Sequence, residues 1–178
     1  DNTENLVLTG TDALNGTGNS LNNTLIGNNG NNYLLGGLGD DTLIANNGDD
    51  SLEGEAGNDL LIGGSGADTY FFNRNAGATG QDTIDDTDGL STITITGTTL
   101  AQLTATQQAN DLILAIQNST DTITVKNFFD VANTADYQLS LNDGLVDKVG
   151  ILKLLPVAHV VTGTTGSDVL QGGIENDT

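Results

Sequence analysis

From residue 18 to residue 71, a large aliphatic or aromatic residue recurs at every ninth position among Gly, Asn and Asp. In register, six copies read GNSLNNTLI, GNNGNNYLL, GGLGDDTLI, ANNGDDSLE, GEAGNDLLI and GGSGADTYF. Each copy predicts a Gly/Asn turn and then a three-residue strand with one side chain inward. So short a period indicates a solenoid in which two copies complete one coil. The inward eighth-place residues are Leu25, Leu34, Leu43, Leu52, Leu61 and Tyr70.

The sixth place of every copy is Asp or Asn. Turns one coil apart stack about 4.8 Å from each other, as neighbouring strands do. Carboxylates at that separation repel unless a cation lies between them, and backbone carbonyls of the turns can complete the oxygen shell that Ca²⁺ prefers. The first edge then carries Asn23, Asp41 and Asp59, and the second edge carries Asn32, Asp50 and Asp68. The turn glycines of these candidate calcium sites are Gly36, Gly39, Gly54, Gly57, Gly63 and Gly66.

The copies GGLGDDTLI and GGSGADTYF fit the pattern G-G-x-G-x-D-x-U-x at every defined position. This pattern resembles the calcium-binding nonapeptide repeat of RTX proteins. The resemblance implies a right-handed parallel β-roll, several calcium ions in the turns and export by a type I secretion system. The chain departs from the pattern at Asn23 and Asn32, where an amide replaces the acid, and at Leu21 and Ala45, where Gly is missing. Because Asn offers a neutral oxygen, Asn/Asp pairs should bind calcium more weakly than Asp/Asp pairs.

Residues 69–84 resemble the junction from the last RTX repeat into a related C-terminal domain. The tripeptide Asp82-Thr83-Ile84 matches the end of a repeat, and its place in the order predicts that Asp82 stacks on Asp59. This interpretation requires a looped-out insertion at residues 72–81. The alternative is an ordinary strand start with an exposed Asp82.

After residue 84 glycine becomes scarce and apolar residues alternate with polar ones, which predicts half-buried strands. The run DTITVKNFF at 121–129 resembles a signature of the RTX-associated domain. The expected fold is all-β: a parallel β-roll followed by an antiparallel β domain with one short helix at about 149–155. The expected segments are a lead-in over 1–17, the roll over 18–84, the antiparallel capping domain over 85–160 and a second repeat array beginning at 161–178.

Ninth-place residues of the roll point outward, and on one sheet they form an apolar column of Ile26, Ile44 and Ile62. Soluble proteins seldom leave such a column in water. The sequence therefore predicts that the antiparallel domain covers it.

Composition narrows the classes of function. The formal net charge of −20 excludes a nucleic-acid-binding surface, which needs a basic face. There is no cysteine to form a disulfide, no apolar run long enough to span a membrane and no secretory signal peptide. Zinc-protease, hydrolase-elbow and phosphate-loop motifs are also missing, and the only histidine, His159, lies among apolar residues. No catalytic residue is predicted.

These observations predict a calcium-binding module of a larger secreted bacterial protein, located outside the cell or at its surface. It would leave through a type I exporter, using a C-terminal signal that lies outside this chain, and fold when it meets calcium. Two alternatives stay open. One is a glycan- or surface-binding adhesin module, and the other is the non-catalytic tail of a secreted hydrolase or epimerase.

Overall fold

A computed structural model describes residues 5–130 and 132–156, which form two β-sheets around one core. Strands alternate between the sheets from β1 to β10. The strands are β1 Asn5–Val7, β2 Asn15–Thr17, β3 Thr24–Ile26, β4 Tyr33–Leu38, β5 Thr42–Asn47, β6 Ser51–Ala56, β7 Leu60–Ser65, β8 Thr69–Asn73, β9 Gln81–Asp85, β10 Leu90–Thr96, β11 Leu103–Gln108, β12 Asp111–Ile116, β13 Thr122–Val125, β14 Asp136–Leu141 and β15 Gly144–Val146. A 3₁₀ turn covers Leu100–Gln102, and the helix α1 covers Lys148–Leu152.

The nine-residue period sets the strand pairing. In the first sheet Leu25, Leu43 and Leu61 lie side by side on parallel strands, each one coil from the next. In the second sheet Leu34 and Leu52 do the same. All six eighth-place side chains are at most 1% exposed, as the repeat predicted. The parallel β-roll is therefore confirmed.

The roll is longer than the six copies seen in the sequence. Leu60 pairs with Thr83 and Thr69 with Thr92, so the offset grows from 18 to 23 residues and the insertion is five residues long (23 − 18 = 5). Two further copies, 77–85 and 86–94, follow it in register. Both keep a fourth-place glycine with positive φ, 108° at Gly80 and 83° at Gly89. The predicted insertion at 72–81 is thus broader than the one observed.

The second half extends the sheets of the roll. Strand β10 pairs parallel with β8 and β14, and β13 pairs parallel with β9. Antiparallel pairing is limited to β11–β12–β13 and β14–β15. The all-β class and the single short helix are confirmed, but the antiparallel portion is smaller than the sequence indicated. The reason is that copy 86–94 lacks the sixth-place acid by which a repeat is recognised.

One hydrophobic cluster runs through both halves of the described chain. It joins the repeat leucines to Ile93, Leu114 and Leu139, all buried. Helix α1 is capped by Asp147, whose side chain accepts a hydrogen bond from the Gly150 backbone amide at 2.8 Å, and the helix inserts Ile151 into the core. No helix in residues 5–130 and 132–156 has the length and apolarity needed to cross a membrane. The predicted second array over 161–178 and His159 lie outside the described residues.

The outward column of Ile26, Ile44 and Ile62 is not covered as the sequence predicted. The antiparallel strands lie beside it in the same sheet, and Ile62 is followed in the column by Asp85. The three isoleucines are half-buried. The reason is that β13, β12 and β11 satisfy the hydrogen-bonding edge of β9 and so extend the sheet instead of crossing its face.

A pair of neighbouring substitutions tests this orientation. Leu43→Ala removes a fully buried side chain and should lower the free energy of unfolding by about 2–5 kcal/mol. Ile44→Ala removes a half-buried cross-strand contact and should cost no more than about 1 kcal/mol. Chemical denaturation at saturating calcium measures both. Equal costs would show that Ile44 is also covered.

Candidate metal centre

The sixth-place residues come together as two stacked columns, one at each edge of the roll. Asp41 and Asp59 lie one coil apart on the first edge, and Asp50 and Asp68 lie one coil apart on the second. All four are at most 2% exposed. The inward strand position that follows each acid anchors it, because the eighth-place side chain two residues later is fixed in the core. The structure thus places every sixth-place acid of the repeats in the predicted columns.

A hydrogen-bond ladder holds one carboxylate oxygen of each acid. In each of these pairs, the backbone amide of a sixth-place residue donates a hydrogen bond to Oδ1 of the sixth-place acid one coil later. On the first edge the distances are 2.7 Å from Asn23 to Asp41 and 2.8 Å from Asp41 to Asp59. On the second edge they are 2.6 Å from Asn32 to Asp50 and 2.8 Å from Asp50 to Asp68. The ladder fixes the orientation of each carboxylate.

The other oxygen of each carboxylate has no partner. Oδ2 is buried and accepts no hydrogen bond in Asp41, Asp50, Asp59 and Asp68. Buried polar atoms are almost always satisfied, so a repeated exception needs an explanation. Burial first, and then neighbouring acids, raise the pKa of Asp59 to about 6 and that of Asp68 to about 7. Without a counter-charge these groups disfavour their ionised form.

These residues fit a hard divalent cation that is shared between turns. Among the described residues no three acidic or imidazole side chains converge on one point. An ion would therefore rely on two stacked carboxylates and on backbone oxygens of the turns. Calcium accepts such mixed oxygen sets of six to eight ligands. When bound, calcium would supply the positively charged partner that the four buried Oδ2 atoms do not find in the protein.

First-place glycines make room for the carboxylates. A Cβ atom on Gly36, Gly54 or Gly63 would strike the carboxylate of Asp41, Asp59 or Asp68 in the same copy. The sixth-place side chain therefore lies over the first-place backbone. First and sixth places compete for one volume, so a repeat with an acid at the sixth place favours glycine at the first.

Fourth-place glycines let the turns stack. Gly57 has φ of 149°, and a Cβ on it would collide with the carbonyl oxygen of Gly39 one coil earlier. Gly66 stands in the same relation to Gly48. The backbones of successive turns are thus in direct contact at this place.

This contact predicts the effect of Gly57→Ala. The new Cβ should cost about 1 kcal/mol for positive φ, and another 1–3 kcal/mol for forcing the turns apart. Gly77→Ala is the control, because Gly77 has φ of 138° but nothing within 4 Å of its Cβ position. Melting of both variants at saturating calcium should show the larger loss at Gly57. Equal losses would assign the whole effect to backbone conformation.

At the N-terminal side, the second column ends at Asn32, which carries a side-chain amide where Asp50 and Asp68 carry a carboxylate. Both hydrogens of the Asn32 amide are used, one at the carbonyl of Leu14 (3.0 Å) and one at Oδ1 of Asn28 (3.0 Å). The side-chain oxygen of Asn32 accepts a hydrogen bond from the backbone amide of Asn28 at 2.8 Å. The Asn32 side chain therefore satisfies itself with protein groups, which supports weaker ion binding at the Asn32/Asp50 pair.

The first column ends at its C-terminal side in a salt bridge. Asp82 follows Asp59, whose amide donates to Asp82 Oδ1 at 3.0 Å. The stacked position of Asp82 matches the repeat interpretation and not the exposed strand start, because Asp82 is buried. Beyond it lies buried Asp121, which is bound by Nε of Arg74 at 3.0 Å. Sequence reasoning missed this pair. The signal that could have found it is the position of Arg74, a basic residue within the insertion that separates copies 63–71 and 77–85.

The second column ends differently. Its next sixth-place residue is Ser91, whose Oγ accepts from the Asp68 amide at 3.2 Å. The same hydroxyl donates to Oδ2 of Asp86 at 2.6 Å. Asp86 stands at the first place of copy 86–94 and is buried. Sequence reasoning missed both residues because neither fits the repeat pattern at its own place.

Two family models match parts of the chain. The family model of the RTX calcium-binding nonapeptide repeat matches residues 17–52, 44–74 and 160–178. The model of the haemolysin-type calcium binding protein related domain matches residues 111–146. No curated protein matches the chain. Among solved structures, the AlgE6R3 subunit of the mannuronan C5-epimerase of Azotobacter vinelandii aligns over 100% of this chain and 98% of its own, with 20% identity and a TM-score of 0.46. With repeats and related domain both recognised, the chain belongs to the RTX calcium-binding repeat proteins.

Proposed function

We propose that this RTX calcium-binding module holds its ions between the stacked acids of the two edges, and that these ions keep the roll folded. The observation that carries the proposal is the set of unpartnered, buried Oδ2 atoms on Asp41, Asp50, Asp59 and Asp68. Asp82 extends the first column, because the backbone amide of Asp59 donates to its Oδ1 at 3.0 Å. The ligand set is completed by the turns of Gly36, Gly39, Gly54, Gly57, Gly63 and Gly66, while Asn23 and Asn32 contribute weaker sites.

Two substitutions on the first edge test the pairing. Asp59 lies between Asp41 and Asp82, so Asp59→Asn changes two acid–acid pairs into acid–amide pairs. Asp41 lies between Asn23 and Asp59, so Asp41→Asn changes one acid–acid pair into an acid–amide pair and leaves the weak Asn23/Asp41 pair with no acid. Calorimetric calcium titration should therefore show two of the tight ions weakened for Asp59→Asn, but one tight ion weakened and the weak Asn23/Asp41 ion lost for Asp41→Asn. Identical titrations of both variants and the parent chain would contradict ion binding between the stacks.

We further propose that the module is exported and works outside the cell. Type I export of a larger polypeptide, followed by folding in an extracellular medium rich in calcium, is the expectation that the RTX family supports. The net charge of −20 and the lack of cysteine fit a secreted chain whose folded state depends on metal. Limited proteolysis should cut the chain rapidly at submicromolar calcium and slowly at millimolar calcium. Equal resistance at both concentrations would remove the support for folding on export.

We propose no catalytic role for the described residues. The matched repeats are calcium-binding structural units, and the stacked acids are placed to face one another instead of facing a substrate cleft. The module would thus act through its shape and its calcium dependence.

A further inference from the structure

In copy 86–94 the acid and the small residue have exchanged places. Copies such as 54–62 have glycine at the first place and Asp at the sixth, whereas copy 86–94 has Asp86 at the first and Ser91 at the sixth. In ordinary copies the first-place Cβ position lies against the sixth-place carboxylate, as at Gly54 and Asp59. A carboxylate on a first-place residue therefore reaches the volume that the sixth-place carboxylate fills elsewhere.

The hydrogen bonds support the exchange. Elsewhere the amide of one sixth-place residue donates directly to Oδ1 of the next acid, as Asp50 does to Asp68. At the end of the second edge the Asp68 amide donates to Ser91 Oγ, and that hydroxyl donates to Oδ2 of Asp86. Ser91 thus relays the ladder to a carboxylate that arrives from another position.

The remaining oxygens also match. Asp86 Oδ1 and Asp68 Oδ2 are both buried and have no hydrogen-bond partner, and each residue is 1% exposed. This is the condition of the sixth-place acids elsewhere in the columns. The Tyr70 hydroxyl lies close to the Asp86 carboxylate but in no hydrogen bond of good geometry, and the Tyr137 hydroxyl is also buried without a partner. Oxygen atoms without protein partners therefore gather at this end of the second edge.

We infer that Asp68 and Asp86 form a further calcium site, in which the first-place Asp86 replaces the acid missing at Ser91. The inference rests on the proposed function, because it assumes that stacked carboxylates of the roll hold calcium. The site would extend the second edge by one ion and give it an acid–acid pair at the place where the first edge has Asp59 and Asp82. Ser91 would act as a positioning residue that orients Asp86.

The experiment counts bound calcium ions by native mass spectrometry, supported by calorimetric titration, on the full chain. Asp86→Asn keeps an acceptor for the Ser91 hydroxyl and should bind one ion fewer than the parent chain. The double variant Asp86→Gly, Ser91→Asp restores an ordinary copy and should recover the parent count. Asp85→Asn is the matched control, because Asp85 is the adjacent acid and lies on the outer face of the sheet.

Three outcomes would overturn the inference. The count could be unchanged in Asp86→Asn, it could fall equally in Asp85→Asn, or the double variant could fail to recover the ion. If Asp86→Asn does not fold, the double variant still tests the inference. It puts a carboxylate from residue 91 into the volume that the Asp86 carboxylate fills, so it should fold and bind as many calcium ions as the parent chain. A parent chain that binds no calcium would instead refute the proposed function.

Discussion

Removing calcium at pH 8 is expected to unfold the roll, so that residues 18–94 lose protection from hydrogen exchange. Each copy buries one eighth-place side chain, which contributes about 1.5–3 kcal/mol. Each copy with a sixth-place Asp also buries an ionised carboxylate, and an uncompensated buried ion costs several kcal/mol. The two terms are of similar size, so the apolar core cannot outweigh the carboxylates once their counter-charge is gone.

Circular dichroism and hydrogen exchange in excess chelator measure this loss. Magnesium at equal concentration is the control, because it demands octahedral geometry and retains its waters, and should not restore protection. Strands β11 to β14 carry no sixth-place acid, so their amides should lose protection last. Full protection of Leu43, Leu52 and Leu61 in chelator would contradict the expectation.

The second large effect is a pH dependence whose sign depends on calcium. In the calcium-free chain, burial raises the pKa of Asp50 and Asp59 to about 6, of Asp68 to about 7 and of Asp82 to about 8. The unfolded chain has Asp pKa values near 3.9, so the folded state binds protons more tightly. The resulting stabilisation is fully present below about pH 4 and is lost as the pH rises through 6–8.

The calcium-free chain, unfolded at pH 8, should therefore regain folded structure as the pH falls towards 5 and melt cooperatively there. Each kcal/mol gained raises the melting temperature by about 2–4 °C in a chain of this size. At limiting calcium the trend should reverse, because calcium binds the deprotonated carboxylates and protons compete with it. Circular dichroism of the demetallated chain between pH 8 and pH 5, with thermal melts wherever it is folded, is compared with the same measurements at limiting calcium.

A substitution separates this effect from general charge repulsion. Asp68→Asn removes one buried titrating group and should reduce the pH dependence of the calcium-free chain. Glu55→Gln removes one exposed acid and should leave it nearly unchanged. A pH dependence that is the same in both variants would mean that overall charge, and not the buried column, controls stability.

The repeat could be predicted from the sequence because backbone stacking and side-chain volume constrain the same places in every copy. Asp41 and Asp59 are in register because Leu43 and Leu61 must share one core layer. The fourth-place glycines are required by close contact between turns, so they recur visibly. The stacking of Asp82 followed from the same logic once the chain was allowed one insertion.

The ends of the columns could not be predicted, because several residues can meet the same physical need there. Ser91 and Asp86 together supply what a single acid supplies elsewhere, and their pairing depends on side-chain contacts across five positions. Arg74 meets Asp121 across 47 positions of sequence. Nor does the periodicity state whether later strands cross the face of a sheet or lengthen it. That choice depends on which strand edge still has unpaired hydrogen-bonding groups. Here the open edge of β9 was extended by β13, so no later strand of the described residues covers Ile44.

The salt bridge between Arg74 and Asp121 would give the roll a direction of assembly if calcium fills its columns. The positive charge of Arg74 belongs to the chain and is present at any calcium concentration, whereas the proposed calcium sites between Asp41 and Asp82 would depend on a cation from solution. In a one-dimensional array each coil gains most of its stability from the neighbour already in place. The C-terminal end can then serve as the template on which coils fold one after another. As the calcium concentration rises, folding would proceed coil by coil from this end towards Asn23.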